Sequence, residues 1–195
     1  MRHNSIDMTI RSELYNQTLF MNTSTNTLKT YISDVPDFPK QGIIFKDITT
    51  LLENPQAVKL CLELLLSDLT DKNIDKVVAI EARGFFFGML LAQALNVPFV
   101  PVRKPRKLPR KVITQSFDLE YGSDTLELHE DAINPGDKVL IHDDVLATGG
   151  TAQAVCKMVE SLGGQIVQCN FIMKLDFLDG AKKLEPHPIY AAVSY

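Results

Sequence analysis

Residues 139–151 are Val139-Leu140-Ile141-His142-Asp143-Asp144-Val145-Leu146-Ala147-Thr148-Gly149-Gly150-Thr151. The continuous apolar run over 138–142 predicts a strand that is buried on both faces. Two adjacent acids and a loop of small residues, 143–150, follow this strand. A helix is predicted over 151–162, where two glycines end it. The order of strand, loop and helix is the building unit of an α/β protein.

A second unit of the same kind lies earlier in the chain. Residues 76–80 form a continuous apolar run that predicts a strand, 81–84 a loop and 85–95 a helix, before another strand at 98–102. Residues 166–173 predict a further strand after the first unit. This alternation predicts an α/β fold with a central parallel sheet flanked by helices. In such sheets, ligands bind at the carboxyl ends of the strands.

Residues 103–131 interrupt this alternation. Their second half, 115–128, alternates enough between apolar and polar side chains to form a hairpin around residues 121–124. A long polar excursion from an α/β core is often a lid or a binding loop.

The composition is that of an ordinary globular chain. It has 195 residues, 45% of them hydrophobic, with 20 basic and 24 acidic side chains and a net charge of -4. We expect one domain over residues 29–195 and a disordered extension over residues 1–28, which are poor in large apolar side chains. No apolar run approaches the roughly 20 residues that span a bilayer. The mild acidity argues against nucleic-acid binding.

Three cysteines, Cys61, Cys156 and Cys169, are far apart, and no Cys-x-x-Cys pair occurs. Neither a zinc site nor a disulfide framework is therefore indicated. Buried, unreactive thiols are the simplest interpretation, and they fit a cytoplasmic protein. His142 is expected to be a packed structural residue rather than a catalyst.

The loop before the 151–162 helix has the composition of a phosphate site. Gly149 and Gly150 let the backbone approach a ligand, and the N–H groups at a helix start attract an anion. Thr148 and Thr151 add hydroxyl donors. These groups suit a phosphate monoester, although a turn and helix cap without any ligand is the alternative.

Asp143 and Asp144 would repel a phosphate, so we expect them to face something else. The diol of a ribose is the natural candidate. Neither the Gly-x-x-x-x-Gly-Lys-Ser/Thr pattern of nucleotide-binding loops nor the Gly-x-Gly-x-x-Gly dinucleotide pattern occurs in the chain.

Basic side chains follow the other predicted strands. Arg83 lies in the loop that follows the 76–80 strand, where a guanidinium can bind phosphate oxygens with two hydrogen bonds. Residues 103–111 contain six basic side chains: Arg103, Lys104, Arg106, Lys107, Arg110 and Lys111. A solvated loop or a nuclear-localisation-like patch is one interpretation. No aromatic side chains interleave for base stacking, and a polyphosphate substrate explains the run better.

Residues 139–151 resemble the motif with which type I phosphoribosyltransferases bind 5-phosphoribosyl 1-diphosphate (PRPP). Further blocks occur in the order of the adenine phosphoribosyltransferase family, and the resemblance covers about residues 30–195. They are Phe38-Pro39-x-x-Gly42-Ile43-Ile44-Phe45-Lys46-Asp47-Ile48, Arg83-Gly84-Phe85, Arg103-Lys104-x-x-Lys107-Leu108-Pro109 and Leu119-Glu120-Tyr121-Gly122.

The resemblance implies both a fold and a reaction. The fold is the type I phosphoribosyltransferase fold, with a small N-terminal hood for the base and a flexible catalytic loop. The reaction converts adenine and PRPP to AMP and diphosphate, with Mg²⁺ on PRPP itself and no metal site of the protein. A homodimer is also implied, with no nucleic-acid or membrane partner.

The resemblance implies a role for each part of the site. The 5′-phosphate is assigned to Ala147, Thr148, Gly149, Gly150 and Thr151, the ribose to Asp143 and Asp144, the diphosphate to Arg83, Arg103, Lys104 and Lys107, and adenine to Ile44, Phe45, Lys46 and Leu175. Glu120 is expected to assist proton movement on adenine, and Tyr121 to close over the site. Arg83 shares in catalysis, and the Glu81–Ala82 peptide bond is expected to be cis.

The chain departs from the family pattern at two positions. Lys46 stands where an arginine is usual, which leaves a backbone contact unaffected. Glu81 replaces a frequent aspartate with a longer acid.

Two alternatives remain on the sequence alone. Another phosphoribosyltransferase would use a different purine, or orotate, in place of adenine. A transcriptional regulator would keep the fold as a PRPP sensor, but it would be expected to carry a DNA-binding domain. Residues 1–29 are too short for one and have no helix-turn-helix pattern.

Overall fold

The computed structural model describes residues 21–118 and 123–195. They belong to two units, one that ends at Leu64 and one that runs from Leu65 to Tyr195. The division falls inside helix α3 (Pro55–Ser67), so each unit is described in turn below.

The first unit contains a helix, a hairpin and two further helices. Helix α1 covers residues 21–29, and strands β1 and β2 pair in an antiparallel hairpin. Helix α3 begins where its sequence favours it, because the side chain of Asn54 accepts the backbone N–H groups of Gln56 and Ala57 at 3.0 and 3.1 Å. The bounds are Ser33–Pro36 for β1, Ile44–Asp47 for β2, Thr49–Leu52 for α2 and Pro55–Ser67 for α3.

Helix α1 corrects the prediction of a disordered extension. Residues 21–28 are helical, with Leu28 fully buried and Ser24 only 6% exposed. The apolar residues of this segment are few, but they fall on one face of the helix, and composition alone does not register that placement. The prediction is therefore wrong for residues 21–28, while residues 1–20 lie outside the described residues.

We expect Leu28→Ala to lower the free energy of unfolding by about 2–5 kcal/mol, because it leaves a cavity in place of a fully buried side chain. Urea denaturation followed by circular dichroism measures the change. Asn26→Ala, at an exposed position of the same helix, is the matched control. Equal stability of the two variants would contradict the burial of Leu28.

The second unit is built on a five-stranded sheet in which every pairing is parallel, in the order β4-β3-β7-β8-β9. This confirms the predicted fold class. The bounds are Lys76–Ile80 for β3, Phe99–Val102 for β4, Lys138–Leu146 for β7, Gln165–Lys174 for β8 and Ile189–Ser194 for β9, with helices Gly84–Leu95 (α4) and Gly150–Ser161 (α5).

The two helices pack on the two faces of this sheet. Gly88 of α4 lies against Ala79, where an added Cβ would come within 2.5 Å of the alanine. The neighbouring Val78 and Ile80 belong to the core on the other face, together with Val155 and Val159 of α5. Alternate residues of one strand therefore contact alternate layers, as expected for a sheet buried on both faces.

Strand β7 is longer than the sequence predicts. Its pairing with β3 ends at Ala79–His142, but its pairing with β8 continues to Leu146–Lys174. Asp143 and Asp144 therefore lie within a strand, not in a loop, because β8 is long enough to hold β7 in extended form. The loop before α5 is reduced to residues 147–149.

The predicted hairpin in the 103–131 excursion is present. Strands β5 (Val112–Asp118) and β6 (Ser123–His129) are antiparallel. Leu126 and Leu128 are buried in the same core as α5, so the stem of the expected catalytic loop packs on the fold. Its tip, residues 119–122, lies outside the described residues. None of the described helices is long and apolar enough to cross a membrane.

Candidate active site

A cavity of about 270 Å³ opens at the carboxyl ends of β3 and β7. Most of the site residues predicted in the second unit lie around it, since both strands deliver their following loops to the same edge of the sheet. The predicted residues among its lining are Arg83, Lys104, Asp143, Asp144, Ala147, Thr148, Gly149 and Thr151. Arg103, Lys107, Gly150 and Leu175 are not among the lining residues.

The loop at 147–149 is shaped for an anion. Gly149 has a φ of 78°, a left-handed conformation, and directly precedes α5. The first helical hydrogen bond runs from Gln153 N to the carbonyl of Gly149 at 2.9 Å. The N–H groups of the first turn precede this bond, which leaves them available to a ligand at the helix N-terminus.

The two acids of β7 differ in their environments. Asp144 is 4% exposed and pairs with the Nε of Arg83. Asp143 Oδ1 accepts the backbone N–H of Asp144 at 2.9 Å. Burial, and then the neighbouring Asp144 charge, raise the pKa of Asp143 well above its ordinary value. Of the two carboxylates, Asp144 is the one that is paired with a cation.

Arg83 lies between β3 and α4, and its side chain remains 45% exposed. The residue after it has to be small, because a Cβ on Gly84 would approach Asp143 Oδ1 to 2.9 Å. The Glu81–Ala82 peptide bond before it is cis, as the resemblance implied. Arg83 and its partner Asp144 both line the cavity, and their charges neutralise each other.

Glu81 organises the start of the basic run, a role that the sequence did not indicate. Its carboxylate accepts Arg103 Nε at 3.1 Å, a second Arg103 nitrogen at 3.2 Å and the backbone N–H of Lys104 at 2.9 Å. Burial alone would raise the pKa of Glu81, but these hydrogen bonds outweigh it and the pKa is lowered. Arg103 is therefore held by Glu81, and Lys104 is the member of the run that lines the cavity.

Glu127 is a second acid that the sequence did not single out. It is 8% exposed, and its carboxylate accepts the backbone N–H of Arg106 at 2.9 Å. Its backbone forms a two-way bridge with Arg103. The basic run is thus fastened to β6 through its main chain.

Most cations of the run are paired with acids. Apart from Arg103 with Glu81, the ion pairs are Lys104–Asp124 at 3.2 Å, Arg110–Asp131 at 2.8 Å and Lys111–Glu130 at 3.8 Å. Lys107 is exposed, and its carbonyl accepts a hydrogen bond from Arg103 at 3.4 Å. Pairing of this kind removes most of the positive field expected from six adjacent cations.

The segment predicted to bind the base is strand β2 of the first unit. Ile44 is 59% exposed, and the Phe45 ring meets the Phe38 ring edge to face, with centroids 5.2 Å apart. Lys46 Nζ lies 2.5 Å from Asp34 Oδ1. In the second unit, Leu175 is half-buried at the end of β8. Glu120 and Tyr121 lie outside the described residues.

His142 is the structural residue that the sequence predicted. It is fully buried, and its Nδ1 lies 3.0 Å from Asn170 Oδ1. Asn170 uses its amide nitrogen to donate to the carbonyl of Leu65 and to Gln168. The amide oxygen is therefore the acceptor, and His142 Nδ1 carries the proton. Burial lowers the pKa of His142 to about 4.

We expect this histidine to make stability depend on pH. In the unfolded chain His142 is protonated below about pH 6.5, whereas in the folded protein it stays neutral down to about pH 4. The free energy of unfolding therefore falls as the pH falls from 6.5 to 4. The loss is on the order of 3 kcal/mol. Urea denaturation at pH 7 and pH 4.5 will show a smaller loss for His142→Gln than for the unchanged protein. Equal losses would contradict the assignment.

Comparisons with known proteins show which family this chain is similar to. A family model described as a phosphoribosyl transferase domain matches residues 47–191. The adenine phosphoribosyltransferase of Flavobacterium johnsoniae is 61% identical over 168 residues, which cover 86% of this chain and 99% of that protein.

Solved structures are similar as well. The adenine phosphoribosyltransferase of Rhodothermus marinus is 50% identical with a TM-score of 0.85, and the match covers 89% of this chain and 99% of that one. The enzyme of Saccharomyces cerevisiae, in complex with adenine and D-2,5-dideoxy-2,5-imino-altritol 1,6-bisphosphate, is 39% identical with a TM-score of 0.83, covering 88% and 99%.

Proposed function

Because the chain belongs to the adenine phosphoribosyltransferase family, we propose a division of its site among the parts of the two substrates. The enzyme is a pentosyltransferase whose reaction converts adenine and PRPP to AMP and diphosphate. The single observation that carries the proposed division is one cavity whose lining joins a helix-start loop, the adjacent acids of β7 and the cations Arg83 and Lys104.

The 5′-phosphate is assigned to residues 147–151. Backbone N–H groups at the start of α5 and the hydroxyls of Thr148 and Thr151 suit a phosphate monoester. The ribose is assigned to Asp143 and Asp144. Carboxylates accept hydrogen bonds from a diol and repel phosphates, which fixes the direction in which PRPP lies in the cavity.

The diphosphate is assigned to Arg83 and Lys104, and on the resemblance to Arg103 and Lys107. As the bond to the anomeric carbon breaks, negative charge concentrates on the leaving diphosphate, and an oxocarbenium-like centre forms on the ribose. Fixed cations at one end and a carboxylate at the other stabilise both charges without reorganisation. Such stabilisation acts in the transition state more than in the bound substrate.

Mg²⁺ is proposed to arrive on PRPP itself. The carboxylates of Asp143 and Asp144 are oxygen ligands of the type that Mg²⁺ prefers, so the cavity suits a metal-loaded substrate. A bound ion would neutralise part of the charge on the diphosphate. The residues of this chain orient the sugar and receive the leaving group.

Adenine recognition is assigned to Ile44, Phe45 and Lys46. Exposed Ile44 and the ring of Phe45 supply apolar contact for a flat purine. Lys46 keeps its side chain on Asp34, so its proposed contribution is a backbone contact, consistent with its replacing an arginine. Leu175 stays a proposed contact on the resemblance alone.

Glu120 and Tyr121 keep the roles that the resemblance implies. A carboxylate near the purine would assist proton movement once the loop excludes water. Tyr121 would then cover the site.

A homodimer is proposed from the resemblance and from the surface of α4. Phe86 and Met89 are 50% and 52% exposed. They stand three residues apart on one helix face and so form an apolar patch suited to a second copy. Sedimentation at micromolar concentration should give twice the mass of 21.8 kDa, and Met89→Glu should lower it.

A cytoplasmic location is proposed because all three cysteines are free thiols, as expected in a reducing compartment. The extensive pairing of the basic run with acids supports a small-molecule substrate over nucleic acid.

The function is tested by measuring diphosphate release from PRPP with adenine, hypoxanthine, guanine and orotate. Adenine is expected to give the only substantial rate, with AMP as the product by chromatography. A rate with orotate or hypoxanthine but none with adenine would overturn the proposed base.

A further inference from the structure

Residues 147–149, here called the phosphate loop, contact a glycine that is distant in the sequence. A Cβ built on Gly149 would lie 2.3 Å from the carbonyl oxygen of Gly180. A Cβ built on Gly180 would lie 2.0 Å from the carbonyl oxygen of Ala147 and 2.8 Å from the nitrogen of Gly149. The two backbones are therefore in direct contact, with no room for a side chain on either.

Gly180 needs space rather than an unusual conformation. It is buried and is not among the glycines with positive φ, whereas Gly149 is. A left-handed backbone thus accounts for glycine at position 149 but not at position 180. Its contact with the phosphate loop supplies the reason.

The segment that carries Gly180 is firmly held. Gly180–Leu184 forms a 3₁₀ helix, and the side chain of Leu184 is 1% exposed within the core beside α5. Gln153 of α5 donates its side-chain amide to the carbonyl of Lys183 at 3.0 Å. The segment therefore packs in the core and is hydrogen-bonded to α5, the helix that follows the phosphate loop.

We propose that Gly180 is a positioning residue for PRPP. Its backbone contact fixes the position of the Ala147–Gly149 backbone, and therefore the position of the N–H groups that hold the 5′-phosphate. This rests on the proposed assignment of residues 147–151. Because the contact is with backbone atoms, a methyl group on residue 180 has to displace the loop itself. It cannot be accommodated by the turn of a flexible side chain.

Gly180→Ala should weaken the 5′-phosphate site selectively. Displacing a substrate-holding group by about 1 Å costs on the order of 10- to 100-fold. We expect a rise of that size in the KM for PRPP and in the Kd for ribose 5-phosphate, measured by calorimetry. The Kd for diphosphate should not change. Because the phosphate is held alike in ground and transition states, kcat at saturating PRPP should change little.

A purely structural role would give a different pattern. It would lower the melting temperature and the active fraction, and hence kcat, without raising the KM for PRPP. Gly164→Ala is the matched control: its Cβ would crowd Val159 and Ile133 at 2.7 and 2.8 Å, beyond the opposite end of α5. We expect this control to lose stability and to keep the KM for PRPP.

Two further variants separate the outcomes. Thr151→Val tests the phosphate loop directly. If it raises the KM for PRPP and Gly180→Ala does not, the role of Gly180 is overturned and the loop assignment stands. If neither variant raises it, the loop assignment itself fails.

Gln153→Met removes the hydrogen bond to Lys183 without adding a clash, and it tests the role of Gly180 if Gly180→Ala does not fold. We expect it to weaken ribose 5-phosphate binding about 3-fold, and no change would overturn the role of Gly180.

Discussion

Arg83→Gln will lower kcat/KM for PRPP by about 10²–10³-fold, the loss seen when one fixed donor to a developing anion is removed. The side chain is 45% exposed toward the cavity and already bonds a carboxylate. A guanidinium so placed can transfer its hydrogen bonds to diphosphate oxygens. Since the charge on the diphosphate grows as the bond breaks, the loss should fall on kcat more than on KM.

Arg110→Gln is the matched control for this variant. It removes an arginine from an exposed pair with Asp131 in the same basic run, and exposed pairs contribute little. Arg83→Lys separates charge from geometry: it keeps the cation but not the planar fork, and should recover part of the loss. Full activity of Arg83→Gln would remove this residue from the site.

Asp144→Asn will weaken binding of PRPP and of ribose 5-phosphate by about 10- to 100-fold, the range expected when hydrogen bonds to a charged group are lost. The carboxylate is 4% exposed, so little solvent reaches it to compensate for the lost hydrogen bonds. The variant is nearly isosteric and should fold.

The response of diphosphate binding decides what Asp144 does. A carboxylate that binds the ribose also competes with diphosphate for Arg83, so Asp144→Asn should leave the affinity for diphosphate unchanged or raise it. A carboxylate that serves only to hold Arg83 in place would give the opposite, a loss of diphosphate affinity with ribose 5-phosphate unaffected. Asp131→Asn, at an exposed position, is the control and should change neither.

The elements around the site were predictable because their signals are local. The strand at 76–80 has the predicted bounds, and the helix that begins at Gly150 was placed within one residue. Continuous apolar runs and glycines mark these elements whatever lies beside them. The acids and the small-residue loop were found for the same reason.

The features that escaped prediction depend on partners far along the chain. The extent of β7 is set by β8, so the sequence of β7 alone could not place Asp143 and Asp144 in a strand. Strand β9 was not predicted, although residues 189–193 are all apolar, and its pairing with β8 is what identifies it as a strand. Glu81 and Glu127 look like ordinary acids until the fold brings the basic run to them.

The one-sided pairing of β7 has a consequence for how a ligand is received. Beyond His142, strand β7 stays hydrogen-bonded to β8 but no longer pairs with β3, so a gap opens in the sheet on the β3 side. A ligand in this gap contacts a main chain that β8 already holds in place. Binding then orders few additional residues, so the free-energy cost of immobilising a loop is largely avoided. The fold thus places a strand that is already held by β8 along one wall of the cavity.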